Sequence, residues 1–397
     1  MFKKILIANR GEIAIRIIRA CNEMGIITVA VFSKADKNSL HVKFADEAIC
    51  IGEGPAVESY LNIPRIIAAG EITNADAIHP GYGFLAENAK FSKICKENGF
   101  TFIGPDAEII DLMGDKVNAR NSAKDAGVPI IPGSNTLSSV EEFLEIAEQI
   151  GYPVMLKAVA GGGGKGMRVI KNANEAEKGF NIIQNEAGMA FNNSEIYVEK
   201  FVKNGRHIEV QILSDKFGNH LHLGERECSI QRSNQKLIEE APSIFVDDNL
   251  RDELTSKSLQ LAKKVNYVGA GTIEYLVDED KNFYFIEMNT RIQVEHTVTE
   301  MVCMIDLVKE QIRTYAAIEL SMNQEDITMS GHAIECRINA EDPFNDFIPS
   351  PKKIDSLNFA GGIGVRIDSF TVSYTHLRAH ETTLHLVCRL LLEKKKQ

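Results

Sequence analysis

The chain has 397 residues, of which 44% are hydrophobic and 25% are charged, as in ordinary globular proteins with two or three domains. The net charge of −11, without any basic face or arm, argues against a nucleic-acid-binding protein. No apolar run is long enough to span a membrane, and the apolar N-terminal stretch is too short for a signal peptide. The seven cysteines form no Cys-x-x-Cys pair, which indicates reduced thiols and a cytoplasmic location.

Short apolar runs alternate with helical stretches in the first third of the chain. Strands are predicted at 5–8, 26–32, 75–78 and 101–103, with helices at 12–24, 63–69 and 86–97. This alternation predicts βαβ units and a mostly parallel sheet. The glycine-rich segment 81–88 follows the third strand, where such sheets tend to bind ligands, although a turn that starts a helix is an equal alternative. Residues 106–127 are predicted to form one helix.

Four consecutive glycines at 161–164 precede Lys165 and Gly166, between two predicted strands. Successive glycine N–H groups can converge on an anion without obstruction by side chains. Gly161, Gly163 and Gly166 have the spacing of a dinucleotide-binding fingerprint, but the match is weak, because the strand 167–170 follows instead of a helix. The segment is not a P-loop either, because Gly166 stands where a P-loop has Ser or Thr. We expect either a lid that closes over phosphate groups or a plain loop.

Three further segments lead to the C-terminal half. Residues 195–202 and 206–212 are predicted strands, and backbone groups at the end of the first, 199–202, are candidates for reading a nucleotide base. Residues 225–232 are dense in charge, which fits a site and a solvated loop equally well. Residues 247–265 are predicted to form an amphipathic helix.

A predicted β-hairpin carries the clearest chemical signal. Strands 271–277 and 282–289 flank a polar turn, which places Glu274 opposite Glu287. Directly opposed like charges destabilise a sheet, so this pair, with Asn289 two residues further on, predicts a bound cation. Three oxygen ligands suit Mg²⁺ or Mn²⁺ and leave room for phosphate oxygens. A half-buried strand with a solvated outer face is the alternative.

Six segments occur in order between about residues 2 and 369: ANRGEIAIR, HPGYGFLAEN, GGGGKGMR, ERECSIQR, GTIEYL and FIEMNTRIQVEHTVTE. Together they resemble the biotin carboxylase family of ATP-grasp enzymes. The resemblance implies that ATP and bicarbonate form carboxyphosphate, whose carbon dioxide is captured by biotin on a carrier protein. The alternatives are another ATP-grasp ligase that acts on a different carboxylate, and an ATP-binding fragment with impaired catalysis.

The resemblance implies an α/β fold in several parts. A Rossmann-like N-terminal domain is expected over 1–113, an ATP-grasp domain over 114–330 with a lid over about 131–203, and an incomplete β-rich C-terminal domain over 331–370. Residues 371–397 contain SYTHLRAHET, which resembles a translated sequencing adapter, so a non-native tail is expected, with a family-specific tail as the alternative. A truncated last domain would leave apolar faces and sheet edges uncovered, which predicts poor solubility and weak or absent carboxylation of biotin.

The resemblance also assigns roles to individual residues. The implied metal ligands are Glu274, Glu287 and Asn289. The implied nucleotide contacts are Lys116, Lys157, Gly163, Gly164, Glu199, Lys200, Phe201, Val202, His207, Asn234 and Leu276. The implied bicarbonate contacts are Lys236, Arg291, Gln293 and Val294. The implied catalytic residues are Lys236, Arg291, Glu295 and Arg337, with Glu295 as the general base and Arg337 stabilising the biotin anion.

The chain departs from the family pattern at three places. Ser233 and Asn234 replace an Arg-His pair, and Asn234 can still hydrogen-bond to ribose or phosphate. Thr297 stands where many acetyl-CoA carboxylase members have proline, which favours the pyruvate carboxylase type. No Met-Lys-Met biotinylation motif is present in this sequence. The implied partners are therefore a biotin carrier protein or domain, a carboxyltransferase component and a second copy of the chain in a homodimer.

Polar residues alternate with apolar ones from Glu287 to Glu295, as on one face of a strand. Fully extended, this run would span ~26 Å at ~3.3 Å per residue, which is too long for one small reaction centre. We therefore expect the strand to end near 289–290 and residues 291–295 to fold back as a catalytic loop over the bicarbonate.

Overall fold

The computed structural model describes residues 1–160, 166–191, 193–350 and 353–371, together with the backbone of 386–391. The N-terminal unit is a five-stranded parallel sheet, as predicted, with the strand order β3-β2-β1-β4-β5. Its strands are β1 (Lys4–Ile7), β2 (Ile27–Ser33), β3 (Glu47–Gly52), β4 (Ala77–His79) and β5 (Thr101–Phe102). The connecting helices are α1 (Gly11–Glu23), α2 (Leu40–Phe44), α3 (Ile63–Thr73) and α4 (Ala89–Glu97). Strand β3 was not predicted, because most of its residues are only partly buried and the apolar run is broken.

The order of the strands reverses between β1 and β4, which is where open α/β sheets bind ligands. The side chain of Asn9, after β1, donates hydrogen bonds to the carbonyl groups of Pro80 and Tyr82, at 2.6 and 2.7 Å. Gly81 has a φ of 64°, and a Cβ atom there would lie 2.9 Å from Ile13. The loop after β4 is therefore fixed at the switch point of the sheet, facing the rest of the chain.

The segment predicted as one helix over 106–127 forms two helices, α5 (Ala107–Gly114) and α6 (Lys116–Asp125). Asp115 breaks the segment because it has an extended backbone and its side chain accepts a hydrogen bond from the Asn118 N–H at 2.8 Å. It thus caps the second helix and leaves Lys116 at the first helical position.

A three-stranded antiparallel sheet follows, in the order β7-β6-β8. It contains β6 (Val154–Ala158), β7 (Met167–Ile170) and β8 (Ile196–Lys200), with helices α7 (Val140–Ile150) and α8 (Ala176–Phe191) packed on it. Phe143, Leu156, Ile183 and Val198 are fully buried in its core. The two strands predicted on either side of the glycines are confirmed as the antiparallel neighbours β6 and β7, but residues 161–165 between them lie outside the described part of the chain.

The largest sheet has eight strands in the order β13-β12-β9-β10-β11-β14-β18-β17. Its strands are β9 (Arg206–Ser214), β10 (His220–Arg232), β11 (Gln235–Ala241), β12 (Gly269–Val277), β13 (Phe283–Asn289), β14 (Ala333–Ile338), β17 (Val365–Asp368) and β18 (Leu386–Leu391). A separate two-stranded ribbon contains β15 (Glu341–Asp342) and β16 (Ile348–Pro349). The charge-rich segment 225–232 is therefore a strand in the middle of a sheet, and the alternative of a solvated loop is wrong.

Three helices accompany the large sheet: α9 (Asp248–Lys264), α10 (His296–Cys303) and α11 (Leu307–Tyr315). Ile17 and Ile18 of α1 share a buried cluster with Val302 and Ile312, so the N-terminal unit packs directly on α10 and α11. No helix in the described ranges is both long enough and apolar enough to cross a bilayer.

Strand β14 of the C-terminal region is paired on both of its sides. Its outer side hydrogen-bonds to β18, with Glu335 opposite Arg389, and β18 pairs in turn with β17. Strand β18 belongs to the segment 371–397 that was predicted to be a non-native tail, and its side chains lie outside the described part.

Candidate active site

A cavity of about 680 Å³ lies where the loop after β4, the three-stranded sheet and the large sheet meet. Most of the predicted site residues line it: Lys116, Lys157, His207, Asn234, Lys236, Glu274, Leu276, Glu287, Asn289, Arg291, Gln293, Val294, Glu295 and Arg337. Residues that are far apart in the sequence thus surround one space, which is large enough for a nucleotide-sized ligand.

The opposed carboxylates are present, since Glu274 and Glu287 are directly opposite partners in the β12–β13 hairpin. Burial raises the pKa of Glu287, and the negative charge of Glu274 raises it further. For Glu274, burial also raises the pKa, but the charges of Lys236 and His207 outweigh burial and hold that pKa well below its usual range. A bound cation would offset the repulsion between these two buried, opposed carboxylates, so the pair is a candidate cation site.

The donor set fits a small divalent cation. No described residue forms a hydrogen bond or an ion pair with the Glu287 carboxylate. Asn289, which the structure brings beside the pair, donates from Nδ2 to Glu274 Oε1 at 2.8 Å. The Asn289 Oδ1 atom accepts from Arg291 Nη2 at 2.9 Å. Carboxylate and amide oxygens are ligand types that suit Mg²⁺ or Mn²⁺ and leave positions for water and phosphate oxygens.

Lys236, on β11, is the cationic centre of the site. Its Nζ atom lies 2.5 Å from Glu209, 2.8 Å from Glu274 and 2.7 Å from Glu295. Burial lowers the pKa of Lys236, but these three carboxylates outweigh it and raise the pKa well above the usual range. The lysine is therefore charged at neutral pH and can offer its N–H groups to an oxyanion.

The strand β13 ends at Asn289, and residues 290–295 form a loop before α10, as predicted. Glu87, from the N-terminal unit, holds this loop. Its carboxylate accepts from Arg291 Nε at 2.8 Å and from the backbone N–H of Thr290 at 3.1 Å. The planar guanidinium of Arg291 consequently faces the cavity with fixed orientation.

Glu295 ends the loop between two cations. Its Oε1 accepts from Lys236 at 2.7 Å, and its Oε2 accepts from Arg337 at 2.9 Å. Burial raises the pKa of Glu295, but the charges of Lys236, then Arg337, outweigh burial and hold this pKa below its usual range. Glu295 is therefore ionised, and it becomes more basic whenever either cation turns towards another anion.

Beneath the loop lies Arg226, whose side chain is fully buried. Its guanidinium donates five hydrogen bonds, to Glu209, Gln211, Thr272, Gln293 and Thr299. Gln293 also donates to Glu274 Oε1 at 2.8 Å. One arginine thus connects three strands, the catalytic loop and α10, and it fixes the predicted bicarbonate contact Gln293 through its side-chain oxygen.

His207 and Asn234 lie in the cavity wall as predicted. His207 Nε2 is 2.7 Å from Glu274 Oε2, and Gln231 Nε2 is 3.2 Å from His207 Nδ1. Ser233 and Asn234 have φ values of 50° and 61°, so they form the tight turn between β10 and β11. Such turns require positive φ at both central positions, which Asn tolerates better than Ser.

The nucleotide contacts predicted at 199–202 do not line this cavity. Glu199 is buried in ion pairs with Arg120 and with Lys157, whose Nζ atom is 2.5 Å away. The backbone N–H of Lys200 donates to Pro132 and that of Phe201 to Pro153, at 2.8 and 3.2 Å. These groups are already paired within the chain, and Val202 also lies outside the cavity wall. Gly163 and Gly164 lie outside the described residues.

Two family models match the chain. One, described as the N-terminal domain of biotin carboxylase, matches residues 1–110, and the other, described as the ATP binding domain of the carbamoyl-phosphate synthase L chain, matches residues 115–323. The biotin carboxylase of Nostoc sp. is 58% identical over 369 residues, which cover 93% of this chain and 83% of that protein. The chain belongs to the biotin carboxylase family.

Solved structures agree with this assignment. The biotin carboxylase of Campylobacter jejuni, in a beta-gamma-ATP complex, has a TM-score of 0.96 and 49% identity, covering 99% of this chain and 88% of that one. The biotin carboxylase domain dimer of 2-oxoglutarate carboxylase from Hydrogenobacter thermophilus, with MgADP and bicarbonate, has a TM-score of 0.95 and 49% identity over 99% and 87% of the two chains. The fold is thus a Rossmann-like unit joined to an ATP-grasp module.

As a biotin carboxylase, the enzyme is a ligase that uses ATP, Mg²⁺ and bicarbonate to carboxylate biotin, the first half-reaction of biotin-dependent carboxylases. The predictions of this reaction and of its cofactors from the sequence are confirmed. The expected weak or absent carboxylation by this chain stays a prediction.

Several residues of this biotin carboxylase site were not predicted. The cavity is also lined by Tyr82, Gly83, Ile131, Met155, Met167, Tyr197, Gly205, Ser229, Gln231, Gln235 and Ile286. Glu87, Glu209 and Arg226 position other groups without being predicted either. Most of the polar residues among these lie in the segment 81–88 or in the charge-rich segment 225–232, both of which the sequence had indicated as candidate sites. Neither pattern indicated which side chains would face the cavity.

Proposed function

We propose that Glu295 is the general base of this enzyme, placed between a bicarbonate-binding cation and a biotin-binding cation. The observation that carries the proposal is the contact of its two oxygens with two different cations, Lys236 and Arg337, at 2.7 and 2.9 Å. A carboxylate in that position can take a proton from a substrate bound at one cation and act next on a substrate bound at the other.

The nucleotide end of the cavity is assigned to ATP and the metal. Glu274, Glu287 and Asn289 would hold Mg²⁺, which neutralises the phosphate charge when it is bound. Lys116 and Lys157 would contact the phosphates, and the apolar Leu276 would pack against the nucleotide. His207 and Asn234 are assigned to the nucleotide as well. The assignments of Gly163, Gly164 and of Glu199, Lys200, Phe201 and Val202 rest on the family pattern alone.

The loop 290–295 is assigned to bicarbonate. Arg291 presents a planar fork that matches the planar oxyanion, and Lys236 adds a second positive charge. Gln293 and Val294 would complete the contacts. When Lys236 turns towards bicarbonate, Glu295 loses a counter-charge and gains basicity, so that it removes the bicarbonate proton as the anion attacks the transferred phosphoryl group.

Arg337 is assigned to biotin. Decomposition of carboxyphosphate releases carbon dioxide, and the ureido nitrogen of biotin must lose a proton before it can capture that carbon. Arg337 would stabilise the negative charge that develops on the ureido oxygen, as donors in an oxyanion hole do. Glu295, on the other side of the guanidinium, would pass the bicarbonate proton to the phosphate released from carboxyphosphate, and as a carboxylate again it would assist the removal of the biotin proton.

The test is ATP hydrolysis by the purified chain, measured with and without bicarbonate and with and without free biotin. The proposal predicts turnover that requires bicarbonate and rises with biotin. Glu295→Gln should lower turnover by at least about 100-fold, in the range of lost general-base catalysis, while calorimetry should find ATP binding within about threefold of the unchanged chain. Glu279→Gln, at the exposed turn of the β12–β13 hairpin, is the matched control.

The outcomes separate the competing functions. Turnover that does not depend on bicarbonate would favour a ligase for another carboxylate. ATP binding without turnover in the unchanged chain would favour an ATP-binding fragment with impaired catalysis. Full turnover in Glu295→Gln would remove Glu295 from its proposed role.

The proposal extends to the partners, the assembly, the location and the domains of the protein. We propose a biotin carrier protein or domain and a carboxyltransferase component as partners, a homodimer as the assembly and the cytoplasm as the location. The proposed domains are 1–113, 114–330 with a lid at about 131–203, 331–370 and a non-native tail at 371–397. Dimer structures exist for the related domain from Hydrogenobacter thermophilus.

A further inference from the structure

Beside Arg337, two buried glutamates lie directly opposite each other on adjacent strands. Glu239 of β11 and Glu335 of β14 are directly opposite partners, and neither residue is exposed to solvent. Directly opposed residues of an antiparallel pair have Cβ atoms roughly 4.5–5.5 Å apart. Two ionised carboxylates at that separation, away from water, would repel each other strongly.

Within the part of the chain that the structure describes, each carboxyl group is hydrogen-bonded through one oxygen. Glu239 Oε1 accepts from Arg337 Nε at 2.6 Å, and Glu335 Oε2 accepts from the hydroxyl group of Thr297. The other two oxygens, Glu239 Oε2 and Glu335 Oε1, are buried and have no hydrogen-bond partner among the described residues. A carboxylate offers only acceptors, whereas a protonated carboxyl group is also a donor. One proton held between these two oxygens would satisfy both.

The surrounding charges allow one proton on the pair. Among the described side chains, the groups that act on it are Arg337, Glu295, Lys236, Glu209 and Cys228, with Tyr82 near Glu335. On the other side of β14, Arg389 of β18 is the register partner of Glu335. Burial raises the pKa of Glu335 well above its usual range, and the charge of Glu239 adds to this effect. Burial also raises the pKa of Glu239, to about 7, against the opposing charge of Arg337.

We propose that Glu239 and Glu335 share one proton, and that this pair is a positioning device which orients Arg337 for biotin. The inference rests on the proposed role of Arg337. With one proton, the pair carries a single negative charge, which fixes Arg337 through its Nε atom. Without that proton, a second buried negative charge would compete with the biotin anion for the same guanidinium, and the affinity for biotin would fall.

The presence of the proton is tested without any need for turnover. Infrared spectroscopy of the unchanged chain at pH 8 should show the carbonyl stretch of a protonated carboxylic acid. Labelling the glutamates with ¹³C shifts this band and so assigns it to a glutamate. This band should disappear in Glu335→Gln. The control is Glu310→Gln, which removes another buried glutamate, on α11, outside the cavity wall. Absence of the band in the unchanged chain, or its persistence in Glu335→Gln, would overturn the proposal.

The positioning role is tested by the pH profile of kcat/KM for biotin. The unchanged chain should lose kcat/KM at alkaline pH through a rise in KM for biotin, while KM for ATP stays constant. Glu335→Gln carries a permanent amide donor and should lose this alkaline limb. Thr297→Val removes a hydrogen bond that lowers the pKa of Glu335 and should move the limb to higher pH. An alkaline limb that is the same in all three proteins would overturn the role.

The two proposals can fail separately. If the unchanged chain shows no biotin-dependent turnover, the proposed function fails, while the infrared band still reports on the shared proton. If turnover is normal and the band is absent, only the shared proton is excluded.

Discussion

Arg226 and Glu209 form an ion pair in which neither side chain is exposed to solvent, with Arg226 Nε 2.6 Å from Glu209 Oε1. The other oxygen of Glu209 is 2.5 Å from Lys236 Nζ. A buried guanidinium therefore supports, through one carboxylate, the lysine assigned to bicarbonate. Because Arg226 also holds Gln293, the loop and the lysine are positioned by the same buried group.

Removal of the Arg226 guanidinium should lower the free energy of unfolding. Arg226→Met leaves Glu209 buried without its arginine, and breaking a buried ion pair costs about 3–5 kcal/mol. We expect a decrease of that size in the free energy of unfolding, measured by urea titration. Lys34→Met is the control, because Lys34 and Glu53 are 66% and 51% exposed in their pair, and exposed pairs contribute about 0–1 kcal/mol. Equal losses in the two variants would contradict this account.

Glu87 should act on bicarbonate without touching it, because it holds Arg291 at 2.8 Å and the Thr290 N–H at 3.1 Å. Glu87→Gln keeps the shape and removes the charge. We expect KM for bicarbonate to rise by about tenfold, equivalent to about 1.4 kcal/mol, with a smaller change in kcat. Steady-state ATP hydrolysis at varied bicarbonate measures both constants. Glu53→Gln, at an exposed surface pair with Lys34, should leave both unchanged.

Glu287 should determine the requirement for Mg²⁺. Glu287→Gln removes one of two opposed carboxylates while the amide keeps a similar volume. We expect the Mg²⁺ concentration for half-maximal ATP hydrolysis to rise at least about tenfold, since affinity for hard cations depends on the charge of the oxygen ligands. Free Mg²⁺ is varied at saturating ATP. The same Mg²⁺ requirement in Glu287→Gln and in the unchanged chain would show that Glu287 is not a ligand.

The position of Glu274 opposite Glu287 could be predicted from the sequence because the information was local. The turn between the two strands and their alternation determined the register, so Glu274 could be placed opposite Glu287 without knowledge of the fold. The end of the strand at Asn289 followed from a length argument. Both predictions needed only residues within one hairpin.

The supporting groups could not be predicted in the same way. Arg226 has hydrogen-bond partners on β9, β12, the catalytic loop and α10, up to 73 residues away. An arginine is buried only where all these partners are assembled, and a charge-rich sequence does not show whether they are. The pairing of Glu239 with Glu335 joins strands separated by almost a hundred residues, so the tertiary fold alone reveals it.

Acid should weaken the N-terminal unit through Asp36. This carboxylate accepts hydrogen bonds from Arg10, from Tyr60 at 2.7 Å and from Ser33 at 2.8 Å. Burial raises the pKa of Asp36, but Arg10 and the hydroxyl donors outweigh burial and lower the pKa from 3.8 to about 2. Because the pKa is lower in the folded state than in the unfolded state, the ionised group stabilises the fold above about pH 4, and this contribution is lost as the pH falls to 2. At about 1.4 kcal/mol per pKa unit, the ionised Asp36 contributes about 2 kcal/mol to the free energy of unfolding.

Asp36→Asn should therefore lower the free energy of unfolding at pH 7 and have little effect near pH 2, as measured by urea titration. Asp248→Asn, at a side chain that is 98% exposed, should change it by less than about 0.5 kcal/mol at either pH. A loss in Asp36→Asn that is the same at both pH values would exclude ionisation of Asp36 as its cause.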